Sequence, residues 1–117
     1  MISLVRLTKD NLERHLEDIL RIESVSFPTP WTRQSFCSET RRPVSELWAA
    51  LSDGRAMGYI CFWTLDKEIH LMNVAVHPVW RRQGLGQELI RKMVQIGRQK
   101  GAQWAWLEVR ISNREAS

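Results

Sequence analysis

The residues best placed to do chemistry fall in one run: Asn73-Val74-Ala75-Val76-His77-Pro78-Val79-Trp80-Arg81-Arg82-Gln83-Gly84-Leu85-Gly86-Gln87-Glu88-Leu89. It reads as a buried strand, a proline-marked loop, and Arg-x-x-Gly-x-Gly opening an amphipathic helix. Such a junction turns several backbone N–H groups and the positive end of a helix dipole toward one point. Glycines at 84 and 86 remove the Cβ atoms that would keep an anion from the backbone. The chemistry implied is the holding of a phosphate or pyrophosphate. No Gly-x-x-x-x-Gly-Lys-Ser/Thr run exists, and the third glycine of a dinucleotide fingerprint is replaced by Leu89.

A second candidate is Glu108. Strand alternation sets Trp104, Trp106, Glu108 and Arg110 on one face, with Ala105, Leu107, Val109 and Ile111 on the other. A carboxylate beside two tryptophans is in part desolvated, which raises its pKa toward that of a usable base. The same pattern also suits an edge-strand glutamate paired with Arg110.

The charge supports the anion reading. The formal net charge is +4, and residues 71–117 hold eight Lys/Arg against three Asp/Glu while residues 1–70 hold nine against ten. The basic excess travels with the glycine loop, where Arg81 and Arg82 stand nearest a phosphate; Arg91, Lys92, Arg98 and Lys100 read as a solvated helix face. Cys37 and Cys61 have no metal or redox spacing and are expected to be free thiols in a reducing cytoplasm. His15, His70 and His77 are scattered, so no metal is expected. No apolar run approaches the ~18 residues of a membrane span.

The elements that must position these groups form one domain over residues 1–117. A strand from Ile2 to Leu7 precedes a helix with Leu12, Leu16, Ile19, Leu20 and Ile22 inward. Phe27-Pro28-Thr29-Pro30-Trp31-Thr32 breaks it, and Thr32 caps a short helix carrying Phe36. Strands Glu46–Leu51 and Arg55–Thr64 join through Ser52-Asp53-Gly54; the second, apolar on both faces, is expected to be central. A fourth strand, Ile69–Val76, follows Asp66-Lys67-Glu68. The main helix carries Leu85, Leu89, Ile90, Met93 and Ile96 and stops at Gly101, and a fifth strand covers Gln103–Arg110. The order β-α-α-β-β-β-α-β is that of an α/β protein with a mixed central sheet and one parallel crossover around the glycine loop.

Four motifs now stand in order: Phe27-Pro-Thr-Pro-Trp31-Thr-Arg-Gln-Ser-Phe36, Asn73-Val-Ala-Val-His-Pro78, Arg81-Arg-Gln-Gly-Leu-Gly86 and Trp106-Leu-Glu-Val-Arg110-Ile-Ser-Asn113. Together they resemble the GNAT N-acetyltransferases, in particular the ribosomal-protein-alanine branch, over essentially the whole chain. The resemblance implies the GNAT (acyl-CoA N-acyltransferase) fold and acetyl-coenzyme A as co-substrate. It also implies a protein or peptide N-terminus as acceptor. Val74, Ala75 and Val76 would offer backbone groups to the pantetheine arm. Arg81 opens the pyrophosphate loop, which Arg82, Gln83, Gly84, Leu85, Gly86 and Gln87 would wrap. Asn113 would lie near the thiol end, and Glu108 matches the family's general base.

The sequence departs from the family at its end. The family continues past Ser-Asn into a further helix and two strands, with a tyrosine that protonates the departing thiolate. Here the chain stops at Ser117 and its one tyrosine, Tyr59, lies in a central strand. The expectation is a GNAT domain incomplete at its C-terminus, either an N-acetyltransferase or a non-catalytic acetyl-coenzyme A binder. The fifth strand, apolar on both faces, is expected to pair with a second copy as a homodimer. A nucleic-acid-binding role is disfavoured because the six tryptophans are expected mostly at buried strand positions rather than interleaved with basic residues.

Overall fold

The computed structural model describes residues 1–107. The elements are β1 (Ser3–Leu7), a 3₁₀ turn (Leu12–Arg14), α1 (Leu16–Ser26), α2 (Arg33–Arg41), β2 (Ser45–Ser52), β3 (Arg55–Leu65), β4 (Glu68–Val76), a second 3₁₀ turn (Pro78–Trp80), α3 (Leu85–Gln99) and β5 (Trp104–Leu107). The strands form one sheet in the order β1-β2-β3-β4-β5, antiparallel except for the parallel β4–β5 pair.

The sheet separates two cores. On one face Leu16, Ile19 and Ile22 of α1 and Phe36 of α2 pack with Leu47, Tyr59, Cys61 and Ala75. On the other, Leu85, Leu89, Met93 and Ile96 of α3 pack on Ile60, Phe62, Ile69, Leu71, Val74 and Val76. Each such side chain contributes roughly 1.5–3 kcal/mol when buried. β3 feeds both cores, which is why its apolar residues do not alternate with polar ones.

Turn chemistry sets the register. Ser52 pairs with Arg55 across Asp53 (φ 51°) and Gly54 (φ 78°), the two positive-φ residues a two-residue hairpin needs. Thr32 accepts from the Ser35 amide at 3.1 Å while Ser35 Oγ accepts from the Thr32 amide at 3.2 Å, closing a capping box on α2. The expected first helix is in fact two pieces, because His15 leaves helical geometry between the 3₁₀ turn and α1 (φ −120°). β4 begins at Glu68, one residue earlier than expected, since Leu65 and Glu68 pair across Asp66-Lys67.

Two local features matter for the site. Between β3 and β4 the pairing steps from Cys61↔Asn73 to Phe62↔Leu71, leaving Met72 as the extra residue of a bulge. Gly58 lets the start of α3 approach the sheet: a Cβ there would sit 3.0 Å from Ala75 O and 3.4 Å from methyls of Leu85 and Leu89.

Buried acids tie the layers together. Glu39 Oε1 accepts from Ser45 Oγ at 2.8 Å and Trp63 Nε1 at 2.7 Å, and Cys61 Sγ lies 3.7 Å away. Burial in this setting pushes the Cys61 thiol up to about 12. Burial also pushes Glu46 upward. Lys100 Nζ at 2.5 Å, Trp48 Nε1 at 2.9 Å and nearby Arg6 outweigh that effect and hold its carboxyl below the ordinary range.

Candidate acyl-carrier site

The end of β4 delivers the chain into the glycine turn through a short rigid piece. His77 Nδ1 accepts from the Val79 amide at 3.1 Å, and Pro78 presets the first position of the 3₁₀ turn. The chain then adopts left-handed backbone at Arg82 (φ 64°) and Gly84 (φ 83°) before α3 starts at Leu85. Such turns gather N–H groups into an anion-binding concavity.

Gly84 is the N-cap of α3 and supplies no side-chain cap. The bond from Glu88 N–H to Gly84 O, at 3.1 Å, is the first of the helix. The amides of Leu85, Gly86 and Gln87 precede it, where a helix leaves its donors without intrahelical partners. A Cβ at Gly84 would meet no atom within 4 Å, so open space lies above the cap. The two glycines therefore differ: Gly84 is exposed, whereas Gly86 is buried in the first helical turn. A separate opening of about 320 Å³ lies between β1 and the start of α3, lined by Ile2, Leu4, Trp80, Gln83, Leu85 and Glu88.

Val74, Ala75 and Val76 are 8 %, 0 % and 3 % exposed, so anything they offer a ligand is backbone. Arg81 is placed differently from the expectation that its charge faces a phosphate. Its Nε donates to Val76 O at 2.9 Å and its Nη2 to Ser26 Oγ at 2.9 Å, so the guanidinium ties the turn to β4 and α1. Gln83, exposed, folds back along the turn and donates from Nε2 to Val79 O at 3.1 Å. Arg82 and Gln87 are exposed.

Glu108 and Asn113 lie outside the described residues, as do Arg110 and the expected remainder of the fifth strand. The described part of that strand differs from the expectation of tryptophans at buried strand positions: Trp104 and Trp106 are 63 % and 57 % exposed. No tryptophan of the chain reaches full burial, contrary to the expectation of buried strand positions. Trp48 and Trp63 instead carry Lys92 and Arg42 over their rings, at 4.8 and 4.7 Å, so basic residues of the same chain occupy those faces. Among the described residues no cluster of His, Cys, Asp and Glu could hold a metal ion, and no helix is long and apolar enough to cross a membrane.

Sequence reasoning missed Glu23 and Ser26. Glu23 is fully buried beneath β4, and Ser26 receives Arg81. The signal was present: Leu16, Ile19, Glu23 and Ser26 follow the inward stripe of α1, so a charge on that stripe had to have buried partners.

A parallel β4–α3–β5 crossover with an uncapped, glycine-led helix N-terminus at its head makes this an α/β domain whose glycine turn is shaped to seat an anion. The acetyltransferase (GNAT) family model matches residues 12–117, and the chain belongs to that family. A Bacillus subtilis (strain 168) relative, provisionally named a ribosomal protein bS18-alanine N-acetyltransferase, is 34 % identical over 102 residues. That match spans 86 % of this chain and 68 % of the relative. The bS18-alanine N-acetyltransferase of Escherichia coli K12 is 30 % identical over 95 residues, 81 % of this chain and 64 % of that one. The chain thus spans about two thirds of these relatives' length.

The crystal structure of the ribosomal-protein-S18-alanine N-acetyltransferase from Escherichia coli superposes with a TM-score of 0.82 at 27 % identity, covering 99 % of this chain and 72 % of that one. An N-acetyltransferase from Thermoplasma acidophilum, solved with coenzyme A, shares the fold at a TM-score of 0.78 and 17 % identity, covering 97 % and 82 %.

Proposed function

We propose that this chain binds acetyl-coenzyme A and takes part in transferring its acetyl group to the α-amino group of a protein N-terminus, in the cytoplasm. The observation carrying the cofactor half is the open, uncapped start of α3 at Gly84, directly after β4. The pyrophosphate would sit on the amides of Arg82 to Gln87, and the pantetheine arm would run along the backbone of Val74 to Val76. The acceptor half is supported by the bS18-alanine N-acetyltransferases among the relatives.

The chemistry follows from ordinary acidities. An α-amine with a pKa near ~7.7–8.0 is mostly protonated at neutral pH and must lose a proton before it attacks the thioester. Glu108 is the proposed acceptor of that proton, directly or through a water. A β4 amide would hold the developing oxyanion, and much of the rate gain would come from positioning the two substrates. Calorimetry with acetyl-coenzyme A, followed by thiol release on peptides beginning with alanine, tests the proposal. No heat and no displacement by coenzyme A would end it.

A second reading is cofactor binding without turnover: Tyr59 is fully buried and donates to Glu23, so it is not the acid that would protonate a departing thiolate. Binding without thiol release would select this reading. We also propose a homodimer through β5, whose Trp104, Trp106 and Leu107 are each more than half exposed at the sheet edge. Sedimentation at micromolar concentration would show a dimer, and a stable monomer would overturn it.

A further inference from the structure

Beneath the candidate site lies a carboxylate that the proposed reaction does not use. Glu23, near the end of α1, is 0 % exposed. Its Oε1 accepts from Tyr59 OH on β3 and from Asn73 Nδ2 on β4, the latter at 2.8 Å. Its Oε2 accepts from the Trp31 amide at 2.7 Å, in the loop between α1 and α2. A buried carboxylate is costly unless hydrogen-bonded, and an apolar residue would fill this position of the stripe with less penalty. What the carboxylate adds is a connection between parts that no apolar side chain could hold in register.

Those parts are specific. Asn73 borders the β4 bulge and immediately precedes Val74, where the acyl arm is proposed to lie. Trp31 ends a loop whose Pro28, Thr29 and Pro30 are exposed. Because Asn73 and the Trp31 amide bind the same carboxyl group, the loop backbone and β4 are joined through one side chain, and the exposed tip of the loop is held at a fixed place relative to that strand.

We propose that Glu23 is a positioning residue for acyl transfer, fixing the 27–31 loop against the bulged β4 so that a peptide on the loop meets the acyl group on the strand. The inference rests on the acetyltransferase reading above. It requires Glu23 to govern the peptide and not the cofactor: its partners Trp31, Tyr59 and Asn73 belong to the loop, β3 and β4 and not to the 81–87 turn.

The test uses a conjugate of coenzyme A joined through an acetyl bridge to the amine of a short alanine-initiated peptide, titrated beside acetyl-coenzyme A. In the parent chain the conjugate should bind more tightly; no such gain ends the acceptor reading before any variant is made. Glu23→Gln should keep acetyl-coenzyme A affinity within about twofold while the peptide's gain falls about tenfold or more, as for loss of a hydrogen bond to a charge. The Trp31 amide should also exchange faster with solvent. Glu23→Gln/Asn73→Asp restores a carboxylate–amide pair in exchanged order and should recover most of the gain. If the single variant fails to fold, the double variant decides the matter by the same ratio. Retention of the full gain in Glu23→Gln, or equal loss for both ligands, overturns the inference, as does a folded double variant without recovery.

Discussion

Arg81 and Ser26 are 55 positions apart in the chain, yet Arg81 Nη2 donates to Ser26 Oγ at 2.9 Å while Nε holds Val76 O. The first residue of the glycine turn is thereby fastened to the end of α1 and the end of β4 together. Its work is mechanical. Arg81→Ala should lower stability by about 1–2 kcal/mol through lost hydrogen bonds. Acetyl-coenzyme A binding should weaken without a change in its salt dependence, because the charge lost is not at the phosphate. Titrations at several ionic strengths check this; a clearly shallower slope would return Arg81 to direct phosphate contact.

Gly84 is the position where backbone conformation and ligand access coincide. Its φ of 83° disfavours any β-branched residue, and a valine would also fill the open space above the cap. Gly84→Val is expected to abolish acetyl-coenzyme A binding while circular dichroism retains the α/β signature. Binding unchanged in calorimetry would remove the turn from the cofactor site.

If transfer occurs, Glu108→Gln should reduce turnover at neutral pH far more than it weakens cofactor binding. A general base of this kind contributes about 10²–10⁴-fold. The defect should shrink toward alkaline pH, where the amine loses its proton unaided. A pH–rate profile parallel to the parent's would leave Glu108 a structural residue.

Acid stability should follow Glu46 and Asp18. The Arg55 guanidinium lowers Asp18 against the opposing effect of burial, and Glu46 is held down by Lys100, Trp48 and Arg6 despite its burial. Carboxyls depressed in the folded state add stability above their unfolded pKa of about 4, and lose it as pH falls through the lower folded value. Glu46→Gln should therefore cost stability at pH 7 and show a smaller further loss between pH 5 and pH 2. Denaturant melts across that range measure the difference.

Much of this architecture was legible because it is written locally. Asp53-Gly54 specifies a hairpin, Thr32 with Ser35 a helix start, and the Val-rich run before Gly84 a strand leading into a helix. The four-motif resemblance singled out the glycine turn for the same reason. What escaped depends on distant partners. Nothing near Arg81 announces Ser26, and the β4 bulge at Met72 follows from pairing with β3 rather than from its neighbours. The exposure of Trp104 and Trp106 could not be read from alternation, which assigns faces but does not say whether anything covers them.

The buried thiol beside Glu39 in the middle of β3 has a bearing on the proposed ligand. A thioester is attacked by thiolate, and any protein that handles one risks acylating its own cysteines. With its pKa pushed up to about 12 and its side chain 0 % exposed, Cys61 presents roughly one thiolate in 10⁵ molecules at pH 7. The core can thus use the volume and polarizability of sulfur between Glu39 and Ser45 while remaining inert toward the very bond that the neighbouring site is proposed to hold.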